Sequence, residues 1–106
     1  MKIYRRTYPI ARSYDGDEIR DLMLGLKSLD ADLVDDATRR LKTVDTPRLL
    51  AAIRGLSVEE DSRSKLAAIA AADQLELIDV RGLIEPLSKD PDPDVRGFAI
   101  ALLEDL

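Results

Sequence analysis

From Asp15 onward the apolar residues of this chain recur with the spacing of a buried helix face. Ile19, Leu22, Met23, Leu26 and Leu29 follow an i, i+3, i+4, i+7 pattern, which predicts a first helix with all five side chains turned inward. Asp15 stands where an N-cap belongs, and Glu18, three residues on, supplies the second half of a capping box. A second helix is predicted from Asp30, with Leu33, Ala37, Leu41 and Val44 inside. Its acids (Asp32, Asp35, Asp36) precede its bases (Arg39, Arg40, Lys42), an order that suits the helix dipole and permits the pairs Asp35–Arg39 and Asp36–Arg40.

The pattern continues through four more segments. Thr46-Pro47 reads as an N-cap followed by a first-turn proline, with Leu49, Leu50 and Ile53 as the stripe and Gly55 as the stop. Ser57 and Glu60 read as another capping box, opening a fourth helix through Leu66, Ala67, Ile69 and Ala70, whose small residues permit close approach. A fifth helix is carried by Leu77, Val80, Leu83, Ile84 and Leu87, kinked near Pro86. The sixth has Asp92 as N-cap, Pro93 in its first turn, and Val95, Ala99, Leu102, Leu103 and Leu106 buried. No stretch of this body alternates with the period of two expected of a half-buried strand.

Six helices with short links form three pairs, 15–44, 46–73 and 77–106, in one domain behind an arm at 1–14. The first helices of the pairs begin near Asp15, Thr46 and Asp79, and a period of this size marks an α-solenoid. Asp30, Asp32, Leu33, Ala37, Leu41 and Val44 align without a gap on Asp92, Asp94, Val95, Ala99, Leu103 and Leu106, whereas no register of residues 57–73 reproduces all of these positions. Residues 83–106, with Leu83, Pro86, Leu87, Asp90, Asp92-Pro93-Asp94, Val95-Arg96, Ala99 and Leu102-Leu103, resemble a HEAT repeat. They are closely similar to the short HEAT-like repeats of phycobilisome lyase proteins. The resemblance implies an all-α fold of three helical hairpins stacked as a short right-handed solenoid, and a protein-binding role. It also implies that Arg96 pairs with the turn aspartate Asp90 or Asp92 and ties repeats together. An accessory role in chromophore attachment would follow from the family name alone.

Composition narrows the chemistry. The 106 residues contain no Cys and no His, which removes thiolate chemistry, disulfides and the commonest general base and metal ligand. No apolar run approaches the roughly 20 residues of a membrane span, and a cytoplasmic setting is expected. Asp90, Asp92 and Asp94 have the opening spacing of an EF-hand loop, but Val95 and Ala101 stand where that loop needs glycine and glutamate. Glu59, Glu60 and Asp61 read as dipole-compensating acids of a first helical turn. No catalytic residue, cofactor or metal site is therefore assigned, and the chain is read as a non-enzyme.

The net charge of −5 divides unevenly, with +4 in residues 1–14 and −9 in the remainder. Tyr4, Arg5, Arg6, Tyr8 and Arg12 make the arm a candidate contact region, either as a cap on the first helix pair or toward a partner. Nucleic acid binding through these tyrosines and arginines is an alternative, against which the acidic body argues. The main expectation is an adaptor that binds another protein through the second helices of the pairs. Its contact stripe is Asp32, Asp35, Arg39 and Lys42, then Ser62, Arg63 and Lys65, then Arg96 and Ile100. A second possibility is a small acidic inhibitor or immunity-type protein that blocks a basic surface with Asp30–Asp36 and Asp90–Asp94. Apolar Phe98, Ile100, Leu103 and Leu106, without the polar cap of a solenoid end, suggest end-to-end homo-oligomers through the last pair or a partner that covers it.

Overall fold

In the computed structural model, which describes residues 14–77 and 80–106, the described chain is all helical. Its elements are α1 (Gly16–Gly25), α2 (Ala31–Leu41), α3 (Thr46–Ser57), α4 (Ser62–Gln74), the short α5 (Arg81–Ile84) running into a 3₁₀ turn (Glu85–Lys89), and α6 (Pro93–Asp105). The arm residues Tyr4, Arg5, Arg6, Tyr8 and Arg12 lie outside the described residues. Tyr14, which follows them, is half-buried against the core, and its carbonyl accepts from Arg48 Nη1 at 2.8 Å.

Several helix starts fall where the capping chemistry puts them. Asp15 and Glu18 form a full capping box on α1, Asp30 caps α2, and Asp92 caps α6 ahead of Pro93. Others are displaced. The N-cap of α3 is Asp45, because its carboxylate accepts from the Arg48 amide and leaves Thr46 and Pro47 as the first two helical residues. Gly55 does not stop α3, which runs on to Ser57 and so buries Leu56 completely. Ser57 is therefore the last residue of α3 and caps nothing. The N-cap of the fourth helix lies four residues later, at Asp61, whose side chain accepts from the Ser64 amide. The expected long fifth helix is two short turns instead, since Pro86 has no N–H to give and its ring opposes the carbonyl four residues back.

These shifts expose a repeat inside the fold. The N-caps of α2, α4 and α6 are Asp30, Asp61 and Asp92, each 31 residues after the last. Seven residues beyond each cap lies a buried alanine, Ala37, Ala68 and Ala99. The first helices agree as well: Ile19, Leu49 and Val80 correspond, as do Met23, Ile53 and Ile84, and Leu26, Leu56 and Leu87, and all nine are buried. The middle pair thus falls into register once its helix is read from Asp61, although Arg63 and Ser64 still depart from the Asp and apolar residues of the other two.

The helices pack in a chain of contacts. α2 lies on α1, α1 lies against both α3 and α4, α4 lies on α6, and α3 meets α5. Buried apolar residues from every pair join in one continuous core. Leu29 and Leu33, expected inside, are 105% and 57% exposed. α1 ends at Gly25, which releases Leu29 into the turn, and Leu33 lies in the first turn of α2, ahead of its buried residues Ala37 and Leu41. Leu103 is half-buried, and Phe98, Ile100 and Leu106 are exposed, in keeping with the incomplete cover of the last pair and not with full burial of Leu103 and Leu106 on the α6 stripe. At the end of α4, Glu76 adopts φ 54°, and the Leu77 amide donates to the Ala72 carbonyl while the Glu76 amide donates to Asp73. That is a Schellman closure with a non-glycine residue in the left-handed position.

Candidate functional site

Three residues of the expected contact stripe, Ser62, Lys65 and Arg96, make ties within the fold. Lys65 Nζ donates to Asp90 Oδ1 at 2.6 Å, and this ion pair is largely buried between α4 and the turn before α6. Ser62 Oγ donates to the Asp92 carboxylate across the same gap. One hairpin earlier, Arg20 on α1 grips Glu59 with two nitrogens, Nε at 3.1 Å and Nη2 at 2.6 Å. Glu59 also accepts from Ser64 Oγ at 3.1 Å. Glu59 and Asp90 occupy equivalent places, two residues before the N-caps Asp61 and Asp92. Each is held by a cation from the preceding hairpin.

The electrostatics record these ties. The Arg20 guanidinium holds the Glu59 carboxyl below its ordinary range, and Lys65, followed by the Asp92 amide, does the same for Asp90. Asp92 is lowered mainly by Ser62 and then by the Asp94 amide, and Asp61 by the amide and hydroxyl of Ser64. Arg96 does not pair with a turn carboxylate. Its Nη1 donates to the main-chain carbonyls of Asp90 (2.8 Å) and Pro91 (3.3 Å), because Lys65 already occupies the Asp90 side chain.

The remaining stripe residues are exposed and separate. Asp36 takes both Arg39 and Arg40 (2.8 Å to the latter), so the expected Asp35–Arg39 pair is replaced by a two-arginine clasp on a single carboxylate. Asp32, Asp35 and Lys42 project from α2, Arg63 from α4 and Ile100 from α6, and they do not converge on one pocket. Asp30, Asp36, Asp90 and Asp92 are engaged in caps and pairs, while Asp32, Asp35 and Asp94 of the two acidic stretches are exposed.

The structure brings a different set together. The end of α1 (Leu26 and Lys27), one side of α4 (Leu66, Ile69, Ala70, Asp73, Gln74) and one side of α6 (Phe98, Ala101, Leu102, Asp105) line a trough of about 280 Å³. Ala70 and Ala101 leave the space, since larger side chains there would close it. Phe98 forms part of one wall and is 55% exposed, and Lys27 Nζ sits 5.4 Å from the centre of its ring, a cation–π contact joining the first pair to the third. Asp73 and Asp105 stand in the last turns of α4 and α6, neither of which has a base in that turn. Each carboxylate therefore adds to the negative end of a helix dipole, an arrangement unfavourable for the isolated chain.

Sequence reasoning missed Lys27, Asp73, Gln74 and Asp105. The signal for them was the 31-residue recurrence of N-cap aspartates, which sets the register of α4 against α6. Among the described residues no helix is long and apolar enough to cross a membrane. Comparison with protein-family models, curated proteins and solved structures finds no match for this chain.

Proposed function

We propose that this chain is a non-enzymatic protein-binding module, a short right-handed HEAT-like solenoid of three hairpins that seats a basic, apolar segment of another protein in the trough over α4. The solenoid reading is supported by the recurrence of Asp30, Asp61 and Asp92, and by the acids Glu59 and Asp90, two residues before their caps, each held by a cation of the preceding pair. The binding reading rests on one observation. An exposed aromatic and aliphatic trough ends in two carboxylates placed where the helix dipoles disfavour them. Local rules are broken in this way where a ligand compensates. A partner Leu or Met side chain would fill the space between Ala70 and Ala101, and a Lys or Arg beside it would neutralise Asp73 and Asp105.

The test uses a designed helical peptide of alternating leucine and lysine pairs, with a glutamate counterpart, titrated into isotope-labelled protein. The lysine peptide is expected to shift the signals of Ile69, Ala70, Phe98 and Ala101, and the glutamate peptide to leave them in place. Reversing both charges, Asp73→Lys with Asp105→Lys, is expected to abolish the response. Shifts centred on α2, or equal responses to both peptides, would remove the proposal.

A further inference from the structure

The side of α6 turned away from the trough offers a second, independent surface. On α4, which packs on α6, Ile69 and Ala72 are buried and Lys65 reaches Asp90 in the turn before α6. Thirty-one residues on, the same helical positions of α6 are Arg96, Ile100 and Leu103. Here Ile100 is 44% exposed and Arg96 and Leu103 are half-exposed. At about 100° per residue, Ile100 lies roughly 200° around the helix from Phe98, so this face and the trough do not share their walls.

Its charges are arranged symmetrically about Ile100. Arg96 lies four residues before it and exposed Glu104 four residues after it, and Gly97 stands beside the apolar centre with no Cβ. Arg96 Nη1 is occupied by the Asp90 and Pro91 carbonyls, while Nε and Nη2 donate to nothing among the described residues. We propose that this face pairs antiparallel with the same face of a second copy, crossing at Ile100. In that register Arg96 meets Glu104 of the partner subunit, and Glu104 meets Arg96 of the partner subunit. Leu103 falls opposite the partner subunit's Gly97, where the missing side chain admits it.

The pairing is isologous, the commonest closed arrangement of soluble homo-oligomers. It differs in kind from the α4–α6 contact within the chain, in which two different helix faces meet. One helix on one helix buries less than the roughly 1,200 Å² of stable specific complexes, so the dimer is a weak one.

Sedimentation equilibrium of the full chain from about 10 μM to about 1 mM covers the affinities expected of such an interface. Wild type is expected to approach dimer at the upper end. Glu104→Arg, which sets two pairs of arginines against each other at an exposed position, is expected to weaken association by about tenfold or more. The double variant Arg96→Glu with Glu104→Arg recreates both pairs with reversed sign, and is expected to return to within about threefold of wild type. Circular dichroism of each variant checks that the helices are intact. A monomer at every concentration, association indifferent to Glu104→Arg, or a double variant no better than the single one would each overturn the proposal.

Discussion

Truncating Ile53 probes the shared core where it matters most. Ile53 is 0% exposed at the centre of the middle hairpin, in the position that Met23 and Ile84 occupy in the outer two. Ile53→Ala removes three methylene-sized groups, worth about 2.4 kcal/mol at about 0.8 kcal/mol each. A residual void of about 40 Å³, at about 24 cal/mol per Å³, adds about 1 kcal/mol. The expected loss is thus about 3–4 kcal/mol, a large share of the 5–15 kcal/mol typical of a folded domain. In urea, with a slope of about 1.5 kcal/mol per M for a chain of this size, the midpoint should fall by about 2 M. Leu33→Ala is the internal control. Helical periodicity alone would bury Leu33, but the fold leaves it 57% exposed, and its truncation should stay within about 0.5 kcal/mol. Equal midpoint shifts for the two variants, or a shift below about 0.5 M for Ile53→Ala, would refute the continuous core described above.

Two further outcomes follow from local geometry. Glu76→Gly removes the side chain that disfavours φ 54° at the end of α4 and should stabilise the protein by about 1 kcal/mol, read as a rise in the urea midpoint. The carboxyls of Glu59, Asp61, Asp90 and Asp92 are all lowered in the folded state. Their contribution is therefore present above the ordinary carboxylate range near pH 4 and is lost as pH falls through the lowered values. Midpoints measured from pH 7 down to pH 2 should drop steeply at the acid end. Lys65→Met should narrow its gap to wild type as Asp90 is protonated, whereas a gap that widened on acidification would contradict the ion pair.

The parts of the fold legible in the sequence are those fixed by short-range chemistry. Asp15 with Glu18, Asp30, and Asp92 ahead of Pro93 each place a side-chain acceptor where the first amides of a helix need one, and each is an N-cap in the structure. Helix ends were harder to read. An apolar period carries no information about where its last turn falls, so Leu29 looked like one more stripe residue. Gly55 looked like a stop, but a mid-helix glycine costs only about 1 kcal/mol and burial of Leu56 outweighs it. Ser57 with Glu60 matched the capping pattern, yet Asp61 can reach the Ser64 amide and leaves Glu59 free to hold Arg20, a contact spanning 39 residues. The trough was hidden for the same reason, since Lys27 and Phe98 meet only when the first and third pairs are folded over α4.

That meeting is also the most direct test of the architecture and of the trough built on it. Phe98 is the only phenylalanine and the chain has no tryptophan, so its ring protons are readily distinguished by NMR. A nuclear Overhauser spectrum of the labelled protein should show the Phe98 ring in contact with the Lys27 side chain, 71 residues away, and that contact should disappear in Lys27→Ala while the helices persist. Ring contacts limited to neighbours on α6, or directed to Leu29 or Leu33 instead, would mean that the first and third hairpins do not converge and that no trough exists for a partner to fill.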